Sequence, residues 1–294
     1  MEQSTLGIEQ HLVVALDTLN EGVHFPIGTS PQDIGFKALA VNLSDLAAMG
    51  AKPTAVFYVI SGGQHAAGWV TEVEESLILA GETYGLQTHG QCQMLESASV
   101  TVQILGTVPV DQALIRSGAR TEDHVIVTGT LGDASAGLTI AQSPQRSRGD
   151  LEMFLLDRLN RPSPRLDAGL ACRGLAHSAV DISDGLLSDL GHILKASGVG
   201  AAIDVDSLPL SAQNLESSGV HRALQHALRG GDDYELCLTC AATHSNTLCD
   251  RIRDSGGTAT VIGRIEADPG LRLHSKHFET DSLLISAKGW EHFS

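Results

Sequence analysis

Aspartates in this sequence recur at the ends of apolar runs, where their carboxylates could bind a divalent cation. Asp17 follows the run LVVAL, and Asp181 and Asp184 lie in DISDGL, between an apolar run and an apolar pattern with helical spacing. Carboxylate oxygens are the ligands that Mg²⁺ prefers, and Mg²⁺ in turn binds phosphate. The pattern indicates Mg²⁺-dependent phosphate chemistry. For each acid taken alone, a turn or a helix cap formed by Ser183 or Asp184 is the alternative.

A further carboxylate, that of Asp45, falls on the apolar face of a predicted helix. Residues 31–50 predict this helix, because Ser30 suits the N-cap, Pro31 the first turn and Gly50 the position after the last turn. The apolar residues on the same face are Ile34, Ala38, Val41 and Ala48. A buried carboxylate costs several kcal/mol unless something binds it, which favours a cation over a cap on a neighbouring element.

Two glycine-containing stretches could also bring backbone close to a ligand. By itself, GGDDYELCLT (230–239) is typical of a hairpin turn. VTGTLGDASAGL (127–138) joins a predicted strand to a predicted helix, where free N–H groups attract anions and glycines also allow close packing. Its spacing matches neither a P-loop nor a dinucleotide-binding motif.

Composition limits the class of protein. The formal net charge of −16 over 294 residues argues against non-specific nucleic-acid binding, which needs a basic surface. We find no secretory signal and no apolar run long enough to cross a bilayer, so we expect a cytoplasmic protein that does not bind membranes. Cys237 and Cys240 lie in a strand-like run and are interpreted as core residues. Strands and helices alternate throughout, which predicts a mixed α/β or α+β protein whose halves meet near residue 110.

Several stretches, taken together, resemble the thiamine-monophosphate kinase family, which is related to aminoimidazole ribonucleotide synthetase and selenophosphate synthetase. The matching stretches are DTLNEGVHF, KALAVNLSDLAAMGAKP, RSGA, VTGTLGDASAGL, DISDGLLSDLGHI, GGDDYELC and KGWEHF. The resemblance implies a two-domain α/β (α+β) fold of the aminoimidazole ribonucleotide synthetase type, with mixed sheets flanked by helices. It implies an ATP- and Mg²⁺-binding, dimerising domain at 1–110, a C-terminal α/β domain at 111–294, and a homodimer.

The resemblance also implies an activity and a set of site residues. The activity is ATP-dependent phosphorylation of thiamine monophosphate to thiamine diphosphate by direct in-line transfer. No catalytic base is required, because the attacking phosphate oxygen is already anionic. The implied Mg²⁺ ligands are Asp17, Asp45, Asp181 and Asp184. The implied ATP contacts are Arg116 and Ser183. The implied substrate contacts are His24, Asp232 and Trp290, and the ring of Trp290 would stack on thiamine.

The sequence departs from the family pattern in its N-terminal half. An N-terminal Gly-Asp-Asp motif of the family has no counterpart before Leu12, for which a misplaced start codon is one explanation. The family's Ser-Thr-Asp is here Ala15-Leu16-Asp17, and Cys92 stands where the family has a metal-binding aspartate. A thiol is a poor Mg²⁺ ligand. These departures leave an alternative open: a catalytically impaired or repurposed relative that binds nucleotide or thiamine phosphate, or phosphorylates another acceptor.

Overall fold

The computed structural model of the protein describes residues 9–143 and 149–284. These residues form two mixed sheets flanked by helices, as predicted; the last strand of the first sheet ends at Pro109 and the first strand of the second begins at Asp123. Trp290 lies outside the described residues. Within the described ranges, no helix is both long and apolar enough to cross a membrane.

The first sheet has four strands in the order β1-β4-β2-β3. Its elements are β1 (Gln10–Asn20), α1 (Pro31–Ala48), β2 (Lys52–Gly62), α2 (Ala67–Thr83), β3 (Thr88–Gln93) and β4 (Ala98–Pro109). Strands β2 and β3 are parallel, and the other neighbours are antiparallel. Alternate residues of β4 are buried, as expected for a sheet with one face against the core.

The second sheet has six strands in the order β10-β7-β9-β5-β8-β6. Its strands are β5 (Asp123–Thr128), β6 (Ala176–Asp181), β7 (Gly200–Asp204), β8 (Leu236–Ala241), β9 (Ala259–Glu266) and β10 (Gly270–His274). The accompanying helices are α3 (Asp133–Ala141), α4 (Asp150–Asn160), α5 (Leu166–Cys172), α6 (Leu186–Ser197), α7 (Ala212–Ser218), α8 (Val220–Arg229), α9 (Ser245–Asp254) and α10 (Thr280–Leu284). Cys237 and Cys240 are fully buried in β8, which confirms their interpretation as core residues.

Helix α1 lies between the two sheets and therefore positions side chains for both. Its start follows the prediction: the Ser30 hydroxyl accepts a hydrogen bond from the Asp33 N–H at 3.1 Å, and Pro31 opens the first turn. One side of α1 packs in the core of the first sheet, and the other meets β6 and α5. At this second contact the backbones nearly touch, because a Cβ at Gly169 would lie 2.1 Å from the Ala47 carbonyl oxygen. The close approach fixes where α1 presents its polar residues.

Two expectations about local structure are wrong. Neither Ser183 nor Asp184 caps α6 with its side chain; instead, the Asp189 carboxylate reaches back and accepts hydrogen bonds from both of their N–H groups, each at 3.0 Å. The stretch 230–235 forms no hairpin, because β8 pairs with β5 and β6, which lie far away in sequence. The first is held by an acid one turn into α6, and the second by strands distant in the sequence.

Candidate active site

Three of the predicted metal ligands come together where α1 faces the end of β6. Asp17 comes from β1, Asp45 from α1 and Asp181 from the last position of β6. The Ser44 hydroxyl donates to Asp181 Oδ2 at 2.7 Å and so joins the two sheets directly. The carboxylates of all three aspartates and the Arg116 guanidinium act on one another electrostatically. The structure thus brings together acids that are up to 164 positions apart in the chain.

The pKa values of two carboxyl groups in this cluster are raised although the Arg116 guanidinium lies nearby, and we call the cluster unbalanced for that reason. Burial raises the pKa of Asp45 to about 8, with further increases from the charges of Asp181 and Asp17 and a decrease from Arg116. Burial also raises the pKa of Asp181, against the lowering effect of the Ser44 hydrogen bond. A cation bound here would favour the charged form of both carboxyl groups.

The chemistry of these donors fits Mg²⁺, which binds hard carboxylate oxygens. Within residues 9–143 and 149–284, however, no three Asp, Glu, His or Cys side chains are arranged to hold a metal ion by themselves. Mg²⁺ commonly completes its coordination with waters and substrate phosphates. The acid cluster therefore suits a cation that is bound together with a phosphate ligand.

The DISDG turn places Asp184 and Ser183 beside this cluster. The Asp189 carboxylate that holds their N–H groups is itself buried, and its pKa is raised to about 7, first by burial and then by the charges of Asp181 and Asp184. The Ser183 carbonyl accepts a hydrogen bond from the Asp232 N–H at 2.8 Å. The turn is thus fixed by its backbone, and the side chains of Ser183 and Asp184 are half-buried.

Two turns before Asp45 on α1, Lys37 brings together two of the predicted substrate contacts. Its Nζ lies 3.0 Å from Asp232 Oδ1 and donates to the His24 carbonyl oxygen at 3.4 Å. The Tyr234 hydroxyl donates to the same Asp232 oxygen at 3.2 Å. Asp232 and Tyr234 have φ of 68° and 50°, values that are uncommon outside glycine and that typically persist at functional sites.

The contact of His24 with the backbone defines its tautomer. Its Nδ1 accepts a hydrogen bond from the Asn20 N–H at 3.0 Å, and the His24 N–H donates to the Asn20 carbonyl at 2.9 Å. Because Nδ1 is the acceptor, the ring proton of the neutral histidine is on Nε2. Nε2–H is a donor suited to a phosphate or carbonyl oxygen.

In the glycine-rich turn 127–138, two N–H groups at the start of α3 bond to one of the protein's own acids. Asp233 Oδ2 accepts from the Gly132 N–H at 2.6 Å, and Asp233 Oδ1 accepts from the Ala134 N–H at 3.3 Å. A Cβ at Gly129 would lie 2.1 Å from a Glu235 carboxylate oxygen. Of the two interpretations that the sequence leaves open, close packing against the protein's own acids is the one observed.

Glu235 is a buried acid whose charge the protein does balance. Its carboxylate accepts hydrogen bonds from Arg165 Nε at 2.6 Å, from Arg158 Nη2 at 2.9 Å and from the Thr128 hydroxyl at 2.7 Å. Its pKa is lowered because the arginine and threonine contacts outweigh complete burial. The three carboxylates of DDYE therefore have different partners: Lys37 for Asp232, the start of α3 for Asp233, and two arginines for Glu235.

The two altered N-terminal positions occupy different places from the acid cluster. Leu16 alternates with Asp17 along β1, so it projects from the opposite face of the sheet, where it is 62% exposed. Burial and then the neighbouring Glu74 raise the pKa of the Cys92 thiol to about 11, and Glu74 accepts a hydrogen bond from the Tyr58 hydroxyl at 2.7 Å. Leu16 therefore lies on the face of β1 away from Asp17, and the effect of the two altered positions on activity stays a prediction.

Several residues of the site escape prediction from the sequence. Ser44, Asp189 and Lys37 all contact predicted site residues. A sequence feature could have identified Lys37. It precedes Val41 by one helical turn and Asp45 by two, so it lies on the predicted apolar face of the helix. The partner acids of Ser44 and Lys37 lie more than 130 positions away, and no local pattern indicates them.

Comparison with known proteins agrees with this geometry. Residues 3–108 match the family model described as AIR synthase related protein, N-terminal domain, and residues 120–276 match the corresponding C-terminal domain. The chain is 39% identical to the thiamine-monophosphate kinase of Salmonella typhimurium over 97% of its length and 88% of that protein. The enzyme of the same name from Escherichia coli K12 is 40% identical with the same coverage.

Solved structures give the same result. The crystal structure of thiamine-monophosphate kinase from Stenotrophomonas maltophilia K279a superposes with a TM-score of 0.86 at 41% identity, covering 90% of this chain and 86% of that one. A structure described as AaThiL complexed with AMPPCP and TMP has the same TM-score at 31% identity, covering 98% and 89%. The chain therefore belongs to the thiamine-monophosphate kinase family of AIR synthase related proteins.

Proposed function

We propose that this protein transfers the γ-phosphoryl group of ATP to thiamine monophosphate, giving thiamine diphosphate and ADP. One observation carries the proposal: Asp17, Asp45 and Asp181 converge from both sheets, where burial raises the pKa values of Asp45 and Asp181. A phosphate oxygen of thiamine monophosphate attacks the γ-phosphorus as the bond to ADP breaks. Because this oxygen is anionic, the residues bind and orient the substrates and need not remove a proton.

The residues divide between the two substrates. Asp17, Asp45 and Asp181, with Asp184 beside them, are proposed to hold Mg²⁺ together with the ATP phosphates. Bound Mg²⁺ offsets the repulsion between the phosphate groups of the two substrates. Arg116 is already beside the acids and is proposed to contact ATP, as is Ser183.

The acceptor end of the site is built by different residues. His24 offers Nε2–H to an oxygen of thiamine monophosphate, since its Nδ1 is occupied by the backbone. The side chain of Asp232 is 31% exposed. Its carboxylate suits either the positive charge of the thiazolium ring or the amino group on the other ring of thiamine. Trp290 remains a proposed stacking contact from outside the described residues.

A coupled assay of thiamine diphosphate formation with a Mg²⁺ titration tests the activity. We expect product that requires both ATP and Mg²⁺, because phosphate binding at an unbalanced acid cluster needs a cation. Nucleotide binding by calorimetry should be measured in the same samples. Binding without product would exclude the kinase and favour the impaired or repurposed relative.

We infer that the protein forms a homodimer through the first sheet, within the predicted dimerising domain 1–110. The face of this sheet away from α1 and α2 carries exposed apolar side chains. They are Leu12, Val14, Leu16 and Phe57, which are 50%, 51%, 62% and 42% exposed. Strand register places Leu16 and Phe57 on either side of Gln103, so the apolar side chains of β1 and β2 share one face of the sheet. Several exposed apolar side chains on one face are typical of a protein interface.

Substituting Leu16→Glu should break the dimer, because it places a charge at the centre of the apolar face. We expect the mass in solution, measured by light scattering at about 10 μM protein, to fall from two chains to one. Leu79→Glu is the matched control, since Leu79 is 64% exposed on α2, away from this face. A dimer that survives Leu16→Glu would place the interface elsewhere.

A further inference from the structure

Lys37 is a basic side chain that the protein buries almost completely. It is 3% exposed, and no other lysine or arginine in residues 9–143 and 149–284 is as deeply buried. Removing an ammonium group from water costs several kcal/mol unless partners compensate for it. The identity of those partners therefore indicates why a lysine occupies this position.

The two partners of Lys37 belong to separate segments of the proposed acceptor site. The His24 carbonyl lies in the loop after β1, and the Asp232 carboxylate lies in the segment before β8. Backbone hydrogen bonds fix each segment further: the His24 N–H donates to the Asn20 carbonyl, and the Asp232 N–H donates to the Ser183 carbonyl. Lys37 thus connects the loop of the first sheet to the segment of the second, at a point where each presents a side chain proposed to contact substrate.

The geometry at Asp232 shows how Lys37 acts on its carboxyl group. Lys37 and the Tyr234 hydroxyl both contact Oδ1, at 3.0 and 3.2 Å. A carboxylate has acceptor sites on both oxygens, so two donors on one oxygen fix its rotation and leave Oδ2 able to accept from a third group. Tyr234 is itself held in place, because its ring is packed in the core of the first sheet although it precedes β8 of the second.

Lys37 belongs to the acceptor end of the site and not to the nucleotide end. It precedes Asp45 by eight residues of α1, which corresponds to about 12 Å along the helix axis. The cation that acts on Asp45 and Asp181 is Arg116. One helix therefore carries a residue for each end of the site, two turns apart.

We propose that Lys37 is a positioning residue for the phosphoryl acceptor. It holds Asp232 and the His24 loop in the arrangement that receives thiamine monophosphate, and it does not contact ATP. The inference rests on the proposed function and adds to it a residue that sets affinity for one substrate only.

Lys37→Met tests this role, because methionine fills similar space without the charge. We expect the KM for thiamine monophosphate to rise about 10- to 100-fold, the loss typical of a hydrogen-bonded charge, while the KM for ATP changes less than about 2-fold. Lys52→Met, at an exposed position of β2, is the matched control and should change neither KM. An unchanged KM for thiamine monophosphate, or an equal rise in both KM values, would overturn the proposal.

A double substitution separates positioning from a general loss of stability. If Lys37 acts through Asp232, Lys37→Met/Asp232→Asn should bind thiamine monophosphate no more weakly than Asp232→Asn alone. Fully additive losses would contradict this. Thermal unfolding shows whether Lys37→Met folds. If it does not, the double variant can still be tested, because it removes both charges of the pair.

The proposed function can fail independently of this inference. If the parent protein forms no thiamine diphosphate, the function is wrong. Lys37 is then tested by calorimetric binding of thiamine monophosphate to the parent protein and to Lys37→Met. A Kd about tenfold weaker in the variant supports the positioning role, and equal Kd values, or no binding by the parent protein, overturn it.

Discussion

Two buried acidic clusters in this protein differ in how their charge is balanced. Glu235 is fully buried, yet its pKa is lowered, because Arg165 and Arg158 contact both of its oxygens. Asp45 and Asp181 lie in the unbalanced cluster, where burial raises their pKa values although Arg116 lowers them. Neither burial nor a raised pKa alone marks a functional site, because burial also raises the pKa of Asp233 to about 8 and its carboxylate is held by the start of α3. What distinguishes Asp45 and Asp181 is that acids from both sheets meet there.

The two clusters are linked by the short segment 232–235, which shows why both are needed. Glu235 anchors the end of this segment to α4 and to the loop before α5. Asp232 and Tyr234, with their left-handed backbone, then point toward the first sheet. A strained conformation persists only where surrounding contacts fix it, and the balanced cluster supplies those contacts. Its role is structural, and it supports the unbalanced one.

The largest expected difference between the clusters concerns activity. Asp45→Asn should lower kcat/KM about 10³-fold, because an amide neither neutralises nor binds a cation as a carboxylate does. It should not lower the melting temperature, since it removes an acid whose pKa is raised first by burial and then by the charges of Asp181 and Asp17. Steady-state kinetics and thermal unfolding measure the two effects, with Asp254→Asn at an exposed position as the control. A variant that loses stability along with activity would show that the Asp45 charge is structurally balanced after all.

The balanced cluster should respond in the opposite way. Glu235→Gln leaves two arginines without their counter-charge and should lower the free energy of unfolding by about 3 kcal/mol. Denaturant unfolding measures this loss. The matched control is Asp250→Asn, which breaks an exposed pair with Arg253 and should cost less than about 1 kcal/mol. Equal losses in the two variants would remove the distinction between the clusters.

The sequence predicts the unbalanced cluster better than the balanced one, and the reason is physical. Asp45 is recognisable because helical spacing places it among apolar residues, and Ser30 and Pro31 define where that helix begins. Local pattern is enough for such a residue. The interpretation of 230–235 as a hairpin fails because β8 takes its neighbours from β5 and β6, and pairing over such distances leaves no mark in a short stretch.

The same limit explains the residues that were misjudged or missed. Period-two alternation would have placed Leu16 on the face opposite Asp17, had β1 been recognised as extending to Asn20 rather than ending near residue 16. The charge of Lys37 is explained only by its partner Asp232, which lies 195 positions later in the sequence. Resemblance supplied what pattern could not, because it assigned Asp232 a role without reference to its contacts.

The smallest effect is expected at Cys92. Its neighbour Glu74 carries a carboxylate that belongs to neither cluster. If Cys92 replaced a metal ligand, Cys92→Asp would restore activity. The neighbouring Glu74 predicts instead that a carboxylate at position 92 is repelled. We expect Cys92→Asp to lower the free energy of unfolding by about 1 kcal/mol, with kcat/KM raised less than about 2-fold. Adding Glu74→Gln should recover the stability, and Cys92→Ser should leave it nearly unchanged. A large gain in activity from Cys92→Asp would instead show that this aspartate reaches the cation, and the unbalanced cluster would then extend to β3.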